Sequence, residues 1–328
     1  MTDVLVLGGT GWVSGRVAAE WLRRGARVTC VGRGSRPAPA GAALHIADRD
    51  DPRAYDVLAT GEWDEVVDVS SEPAHVAGAL AMLAGRTRHW TYVSSVSVYA
   101  AADRVGDDES AELVAPAAPG EAAEYPRAKA AAEDAVHEAL ADRAAVIRPG
   151  LIVGDGDPTD RFGYWVARFA LAGEGPVLVP AGDRRSQVID VADLTDFVVG
   201  AGGRGWVGEV DAVGPSTPLR DVIDDARRVA GHTGAVVAAS DADLLAHDVA
   251  YWAGPRSLPL WIPSEMTGFA TRLGERYRRA GGRTRPLETT LAEVLADERA
   301  RGLERERRAG LARADELAII AALGARIT

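Results

Sequence analysis

The sequence predicts a doubly wound α/β fold: a parallel sheet with helices on both faces and a smaller lobe over the carboxyl edge of its strands. Three observations carry that expectation. Short apolar strand patterns alternate with helical patterns through the first two thirds of the 328-residue chain, the rhythm of βα units. A glycine-rich loop joins the first strand to the first helix. The rhythm then loosens after about residue 150, where the Gly-, Pro- and Asp-rich stretch "RPGLIVGDGDP" (148–158) begins.

The elements follow in order. "VLVL" (4–7) is the first strand, and Val13, Val17, Trp21 and Leu22 mark one face of the helix after it. Further strands read at "RVTCV" (27–31), "ALHIA" (43–47), "EVVDV" (65–69), "HWTYVSS" (89–95) and "AAVIR" (144–148), with helices at 74–84 and 127–140 between the later ones. "STPLRDVIDDARRVAG" (216–231) predicts a helix with Thr217 as N-cap, Pro218 in the first turn and Gly231 at its end. "YWAGPRSLPLWIP" (251–263) reads as an ordered loop, and the tail from about 287 as charged amphipathic helix.

Composition narrows the function classes. A net charge of −11 argues against nucleic acid or an acidic membrane as partner, because phosphate binding needs clustered positive charge. The single cysteine, Cys30, excludes an internal disulfide and a Cys-rich metal site; its apolar surroundings predict a buried structural thiol. The six histidines lack ligand spacing, so no metal is expected. No basic leader or apolar run of about 18 residues is present, and the expected compartment is the cytoplasm.

In "LVLGGTGWVSG" (5–15), Gly8 and Gly11 allow a tight turn and close approach of backbone to a pyrophosphate, and the helix start presents N–H groups to that anion. Thr10, Trp12 and Val13 belong to the same turn, and Ser14 stands where a third glycine is usual. The second strand ends in "VGRGSRP" (31–37), with Arg33 and Arg36 and no carboxylate. Arginine there suits a 2′-phosphate and favours NADP(H) over NAD(H). Asp48, after the third strand, is either an acceptor for the adenine amino group or the N-cap of a following helix.

Lys129 is the only lysine in a chain whose Lys and Arg total 37. It lies four residues after Tyr125 in "EYPRAKAAAED" (124–134), a spacing that puts both on one helix face. A compact ammonium beside the phenol, together with a positive nicotinamide ring, is expected to favour the phenolate and lower its pKa from about 10, and the ammonium can also hydrogen-bond the nicotinamide ribose. Pro126 places Tyr125 at the N-cap and itself at the first helical position. Ser94, Ser95 and Ser97, at the end of the fifth strand, are candidates to polarise a substrate carbonyl.

Together "GGTGWV", "YVSSVSVY", "YPRAK" and "VIRPGLIVGDGDPTDR" resemble an extended or atypical short-chain dehydrogenase/reductase of the NAD-dependent epimerase/dehydratase group, over roughly residues 1 to 300. The resemblance implies a Rossmann-type doubly wound parallel sheet of about seven strands with a smaller C-terminal substrate-binding lobe. It places the NAD(P)-binding domain at 1–150 and the substrate lobe mainly at 151–328, with segments about 186–215 returning to the sheet. It also implies a Ser–Tyr–Lys triad of Ser95, Tyr125 and Lys129. Ser95 is chosen because it lies four residues before Tyr99. Val69 and Ser70 would lie along the cofactor, Pro149 and Gly150 against its nicotinamide.

Leu151 stands where sugar-nucleotide enzymes of the group carry asparagine, and this chain has no asparagine at all. The expected function is therefore NADP-dependent hydride transfer at a carbonyl or alcohol of a small molecule. The alternatives are an NAD-dependent epimerase or dehydratase of a sugar derivative, and a non-catalytic dinucleotide-sensing or RNA-binding relative. Helices flanking the sheet are candidates for a homodimer interface. Gln187 is a candidate substrate contact, and Tyr164, Trp165, Trp252 and Trp261 are candidates for a pocket lining or for core.

Overall fold

The computed structural model describes residues 1–140 and 142–325. The elements are β1 (Asp3–Leu7), α1 (Trp12–Arg23), β2 (Arg27–Gly32), β3 (Ala43–Ile46), β4 (Trp63–Asp68), α2 (Pro73–Leu83), β5 (Thr87–Val93), α3 (Tyr125–Leu140), β6 (Ala144–Pro149), β7 (Leu151–Val153), α4 (Gly163–Ala172), β8 (Val177–Pro180), β9 (Arg185–Asp190), α5 (Val191–Arg204), β10 (Gly208–Ala212), β11 (Ser216–Pro218), α6 (Leu219–Ala230), β12 (Val236–Ala239), α7 (Asp241–Ala246), β13 (Ala250–Trp252), β14 (Ser257–Pro259), α8 (Glu275–Arg279), α9 (Leu287–Arg301) and α10 (Arg313–Ala325).

Seven strands make the central sheet in the order β10-β6-β5-β4-β1-β2-β3, every pair parallel. Both faces are covered, which is why Val4, Leu5, Val6 and Leu7 are all apolar and all inaccessible to water. On one face Val17, Ala18 and Trp21 of α1 and Leu194, Phe197 and Val198 of α5 pack against Val6, Val28 and Val67. On the other, Val76, Leu80 and Leu83 of α2 and Val136 and Leu140 of α3 pack against Leu5, Val66 and Trp90. Each such buried Val or Leu contributes about 1.5–3 kcal/mol over its exposed state. β1 lies between β2 and β4, so the chain reverses direction there and leaves a crevice at the strands' carboxyl ends.

The seventh strand arrives late. The chain leaves β6, builds β7 and β9 of a small three-stranded sheet with β11, then returns through α5 to pair β10 with β6. The remaining residues form a lobe with its own core, built on Phe162 at the N-cap of α4, Trp165 and Phe169 within it, Val222 from α6, Leu291 and Val294 from α9, and Leu311.

Local expectations fail where tertiary pairing overrides a nearby signal. Thr217 is not an N-cap: Ser216–Pro218 is extended and pairs with β9, so α6 begins at Leu219 behind Pro218. Residues 251–263 are not simply loop, since Ala250–Trp252 and Ser257–Pro259 form a parallel pair. α3 starts at Tyr125, one residue earlier than the cap argument placed it; Pro126 still falls in the first turn, where a missing N–H leaves no helical bond unmade.

Candidate functional site

The turn after β1 is shaped by three steric demands. Gly8 has φ of 75°, the left-handed region open to glycine. A Cβ on Gly9 would lie 2.6 Å from the Cys30 sulfur, so buried Cys30 presses β2 against this turn. Burial also pushes its thiol up to about 11. A Cβ on Gly11 would lie 2.8 Å from the Ser14 hydroxyl, which itself donates to the Gly8 carbonyl at 2.5 Å. Ser14 thus takes the third glycine's place as a small, buried residue that ties the turn down. Thr10 packs on the end of β2, its hydroxyl 3.1 Å from where a Gly32 Cβ would be. The start of α1 carries no side-chain cap and no acidic residue in its first turn, so no side chain of the helix start satisfies its first N–H groups.

A cavity of about 340 Å³ opens beside this turn. It brings together Trp12 and Val13 from α1, Ser94, Ser95 and Ser97 after β5, Tyr125 from α3, and Pro149 and Gly150 at the end of β6. Trp12 is fixed by donating from its indole to the Asp155 carbonyl at 2.9 Å, and Arg16 bonds the Asp155 carboxylate at 2.7 Å. The Ser95 hydroxyl donates to Ser97 Oγ at 3.1 Å and accepts from the Ser97 N–H at 3.1 Å, which aims it from the carboxyl end of the sheet. Tyr125 remains 48% exposed. Burial of its phenol raises the pKa, opposed by a hydrogen bond with Ser95 and by the Arg161 charge.

Lys129 does not line the cavity. It is buried beneath it, its ammonium donating to the carbonyls of Val93 at 2.7 Å, Ser70 at 2.9 Å and Val69 at 3.4 Å. Tyr92 supports the same corner, its ring 4.7 Å from the ammonium and its hydroxyl donating to Ser70 at 2.9 Å. Burial lowers the Lys129 pKa to about 8, with Asp68 and Glu133 opposing. Three carbonyls hold this cation below the site, and burial raises the Tyr125 phenol, with Ser95 and Arg161 rather than Lys129 acting to lower it. The lysine instead ties Val69 and Ser70, at the end of β4, to the end of β5.

Arg33 and Asp48 lie apart from the cavity, exposed at the ends of β2 and β3. No α-helix joins β3 to β4, so Asp48 is not a helix cap; it accepts from the Asp50 N–H at 3.2 Å in a turn. The adjoining Arg49 turns inward and bonds both carboxylate oxygens of Asp68, at 2.8 and 2.7 Å. This buried bracket between the β3 turn and β4 was not anticipated from the sequence.

The outer wall is also largely new. Thr159, Arg161, Arg185, Gln187, Trp252, Ile262 and Phe269 complete the cavity. Gln187 is buried, and its amide bonds the backbone of Gly214 and Arg272 at 2.9 and 2.7 Å, so it shapes the wall. Of the four candidate aromatics only Trp252 lines the cavity; Tyr164, Trp165 and Trp261 are lobe core. Behind the wall Arg148 bonds Glu133 at 2.6 and 3.0 Å and Tyr99 at 3.0 Å, Tyr99 donates to Asp211 at 2.7 Å, and Asp211 pairs with Arg272. That network joins α3, β6 and β10 to the lobe. Among the described residues no cluster of His, Cys, Asp or Glu is placed to hold a metal, and no helix is long and apolar enough to cross a membrane.

The sequence profile of the NAD dependent epimerase/dehydratase family matches residues 4–210. No curated protein matches the chain in sequence. Solved structures match it closely in shape. A protein of Burkholderia cenocepacia J2315 is 21% identical with a TM-score of 0.72, over 91% of this chain and 98% of that one. The UDP-glucose 4-epimerase of Thermotoga maritima, solved with UDP-glucose, is 14% identical with a TM-score of 0.68, over 92% and 99%. The UDP-glucuronic acid 4-epimerase of Bacillus cereus, solved in complex with NAD, is 12% identical with a TM-score of 0.67, over 91% and 99%. At these identities the likeness establishes the fold.

Proposed function

Because the chain belongs to the NAD dependent epimerase/dehydratase family, we propose that it is an enzyme acting at a secondary hydroxyl of a small molecule, with Tyr125 as acid/base. The observation that carries this reading is the shared cavity: Ser95, Tyr125 and Pro149 face one space beside the glycine turn, over a floor held by Lys129. The similar folds of two sugar-nucleotide epimerases support an epimerase or dehydratase reaction over net reduction.

The residues fit a dinucleotide. The uncapped start of α1 and the glycine turn suit a pyrophosphate, held by Gly8, Thr10, Gly11, Trp12 and Val13. Asp48 would accept from the adenine, Val69 and Ser70 would flank the cofactor, and Pro149 would pack against its ring. When bound, the nicotinamide supplies a reversible acceptor for hydride. Tyr125 exchanges the proton of the substrate hydroxyl. Its phenolate would take that proton as hydride leaves and its phenol return it in the reductive half; burial favours the phenol, and Ser95 and Arg161 favour the phenolate. Ser95 donates to the substrate oxygen as it gains carbonyl character. Lys129 acts through the backbone it holds, fixing the strand ends under the reacting groups.

Arg33 favours a second reading, net oxidoreduction with NADP(H). It sits exposed at the end of β2, with no carboxylate there to bind a free ribose. The deciding experiment is calorimetric binding of NAD and NADP, followed by turnover of secondary alcohols and sugar derivatives. A dinucleotide should bind in the micromolar range, and Tyr125→Phe should keep that binding while losing turnover about 10²–10⁴-fold. Failure to bind either dinucleotide would end the proposal.

A further inference from the structure

The reactive cavity contains two arginines, Arg161 and Arg185, and no aspartate or glutamate, in a chain whose net charge is −11. Arg161 is the telling one. Its guanidinium lies 5.0 Å from the centre of the Trp252 ring and its Nε donates to Thr159 at 3.2 Å. Among the described residues no carboxylate is within ion-pair distance of it. The nearby Asp157 accepts instead from the Thr159 N–H at 2.8 Å and hydroxyl at 2.9 Å. Arginines of the neighbouring loop and helices do have carboxylate partners: Arg301 and Arg305 pair with Asp160, Arg307 with Glu298 and Arg313 with Glu316.

The perch of Arg161 is built. Trp252 holds φ of 66°, a conformation rare for a bulky side chain, and Phe269 meets its ring edge-on at 5.2 Å. Arg161 lines the same cavity as Tyr125, and its charge reaches the Tyr125 phenol. Arg185 is held at the rim by Ser216, to which its Nε and Nη2 donate at 2.6 Å each. A partly buried, unpaired guanidinium is costly unless a ligand completes it, and its fork matches carboxylate and phosphate oxygens two at a time.

We propose that the substrate is an anion, carrying a carboxylate or phosphate that seats on Arg161 close to the hydroxyl handled by Tyr125. This rests on the reading of Tyr125 as the acid/base. Trp252 and Phe269 give the remainder of the molecule an apolar wall, and Arg185 reinforces the charge preference from the rim. Arg161 is thus a specificity-determining residue.

The test uses the protein loaded with whichever dinucleotide it binds. Calorimetry compares mandelate, which places a carboxylate next to a secondary hydroxyl beside an aromatic ring, with its neutral amide and with phenyl phosphate. At least one anion should bind ten-fold or more tightly than mandelamide, and the better anion identifies carboxylate or phosphate. Arg161→Gln should erase that preference by ten-fold or more and leave dinucleotide affinity unchanged. Arg161→Lys should retain part of it. Equal binding of mandelate and mandelamide, no binding of either anion, or an indifferent Arg161→Gln would overturn the anionic substrate while leaving the dinucleotide reading intact. Loss of dinucleotide binding in the unsubstituted protein would instead overturn that reading.

Discussion

The ammonium of Lys129 donates to the carbonyl oxygen of Val93 at 2.7 Å. The only lysine of the chain therefore pins the end of β5 from below, one helical turn from the tyrosine it was expected to tune. Its burial has a thermodynamic signature. The folded value, about 8, lies below the unfolded value near 10.5. Between those limits the unfolded chain binds the proton that the folded chain has released, so stability contributed at this position rises with pH.

The first prediction follows from that sign. In the dinucleotide-free protein, urea unfolding of the unsubstituted chain and of Lys129→Met should be compared from pH 7 to 10.5. The unsubstituted chain should gain stability relative to the variant across pH 8 to 10.5, by at most roughly 3 kcal/mol. A gap that stays flat would mean that Lys129 keeps its ordinary value in the folded protein, and one that moves the other way that its value is raised there.

A second prediction concerns the glycine turn. Gly9→Ala would put a methyl 2.6 Å from the Cys30 sulfur and 2.7 Å from its Cβ, costing about 1–3 kcal/mol as overpacking. Cys30→Ala in the same chain removes the sulfur and not the Cβ, so it should recover only part. The coupling energy from a double-mutant cycle measures this; strict additivity would contradict the contact.

Arg148 and Glu133 allow a third. Both are almost wholly buried, with oxygen–nitrogen distances down to 2.6 Å. Glu133→Gln leaves the guanidinium short of its counter-charge and should cost about 3–5 kcal/mol, whereas replacing both residues with apolar side chains of similar volume should cost less. Denaturant midpoints of the single and double variants decide it.

Arg33 gives a fourth. If it faces a 2′-phosphate, Arg33→Ala should weaken NADP binding about ten-fold or more and leave NAD binding unaltered. Matched calorimetric titrations read the ratio directly, and an equal loss for both would assign Arg33 to general electrostatics.

The sheet was legible because its strands are buried on both faces: Val4–Leu7 and Val66–Val67 are apolar whatever their partners. Lys129 was legible because it is scarce. Arg161 was not, although it closes the quoted run "GDGDPTDR", because its meaning comes from Trp252, a residue distant in sequence that the lobe folds onto it. Thr217 misled for the opposite reason, since a sound local cap signal lost to pairing with Ser186. The role of Lys129 shifted because the carbonyls that hold it, from Val69, Ser70 and Val93, belong to two strand ends whose approach no spacing reveals.

The late return of β10 to β6 has a consequence for how the chain is made. During synthesis, β6 is the unpaired margin of a six-stranded sheet until residue 212 has emerged, with Val146 and Ile147 ready to recruit any passing strand. A fragment cut at residue 150 should therefore self-associate. Any replacement of the outer wall must carry its own strand to close β6.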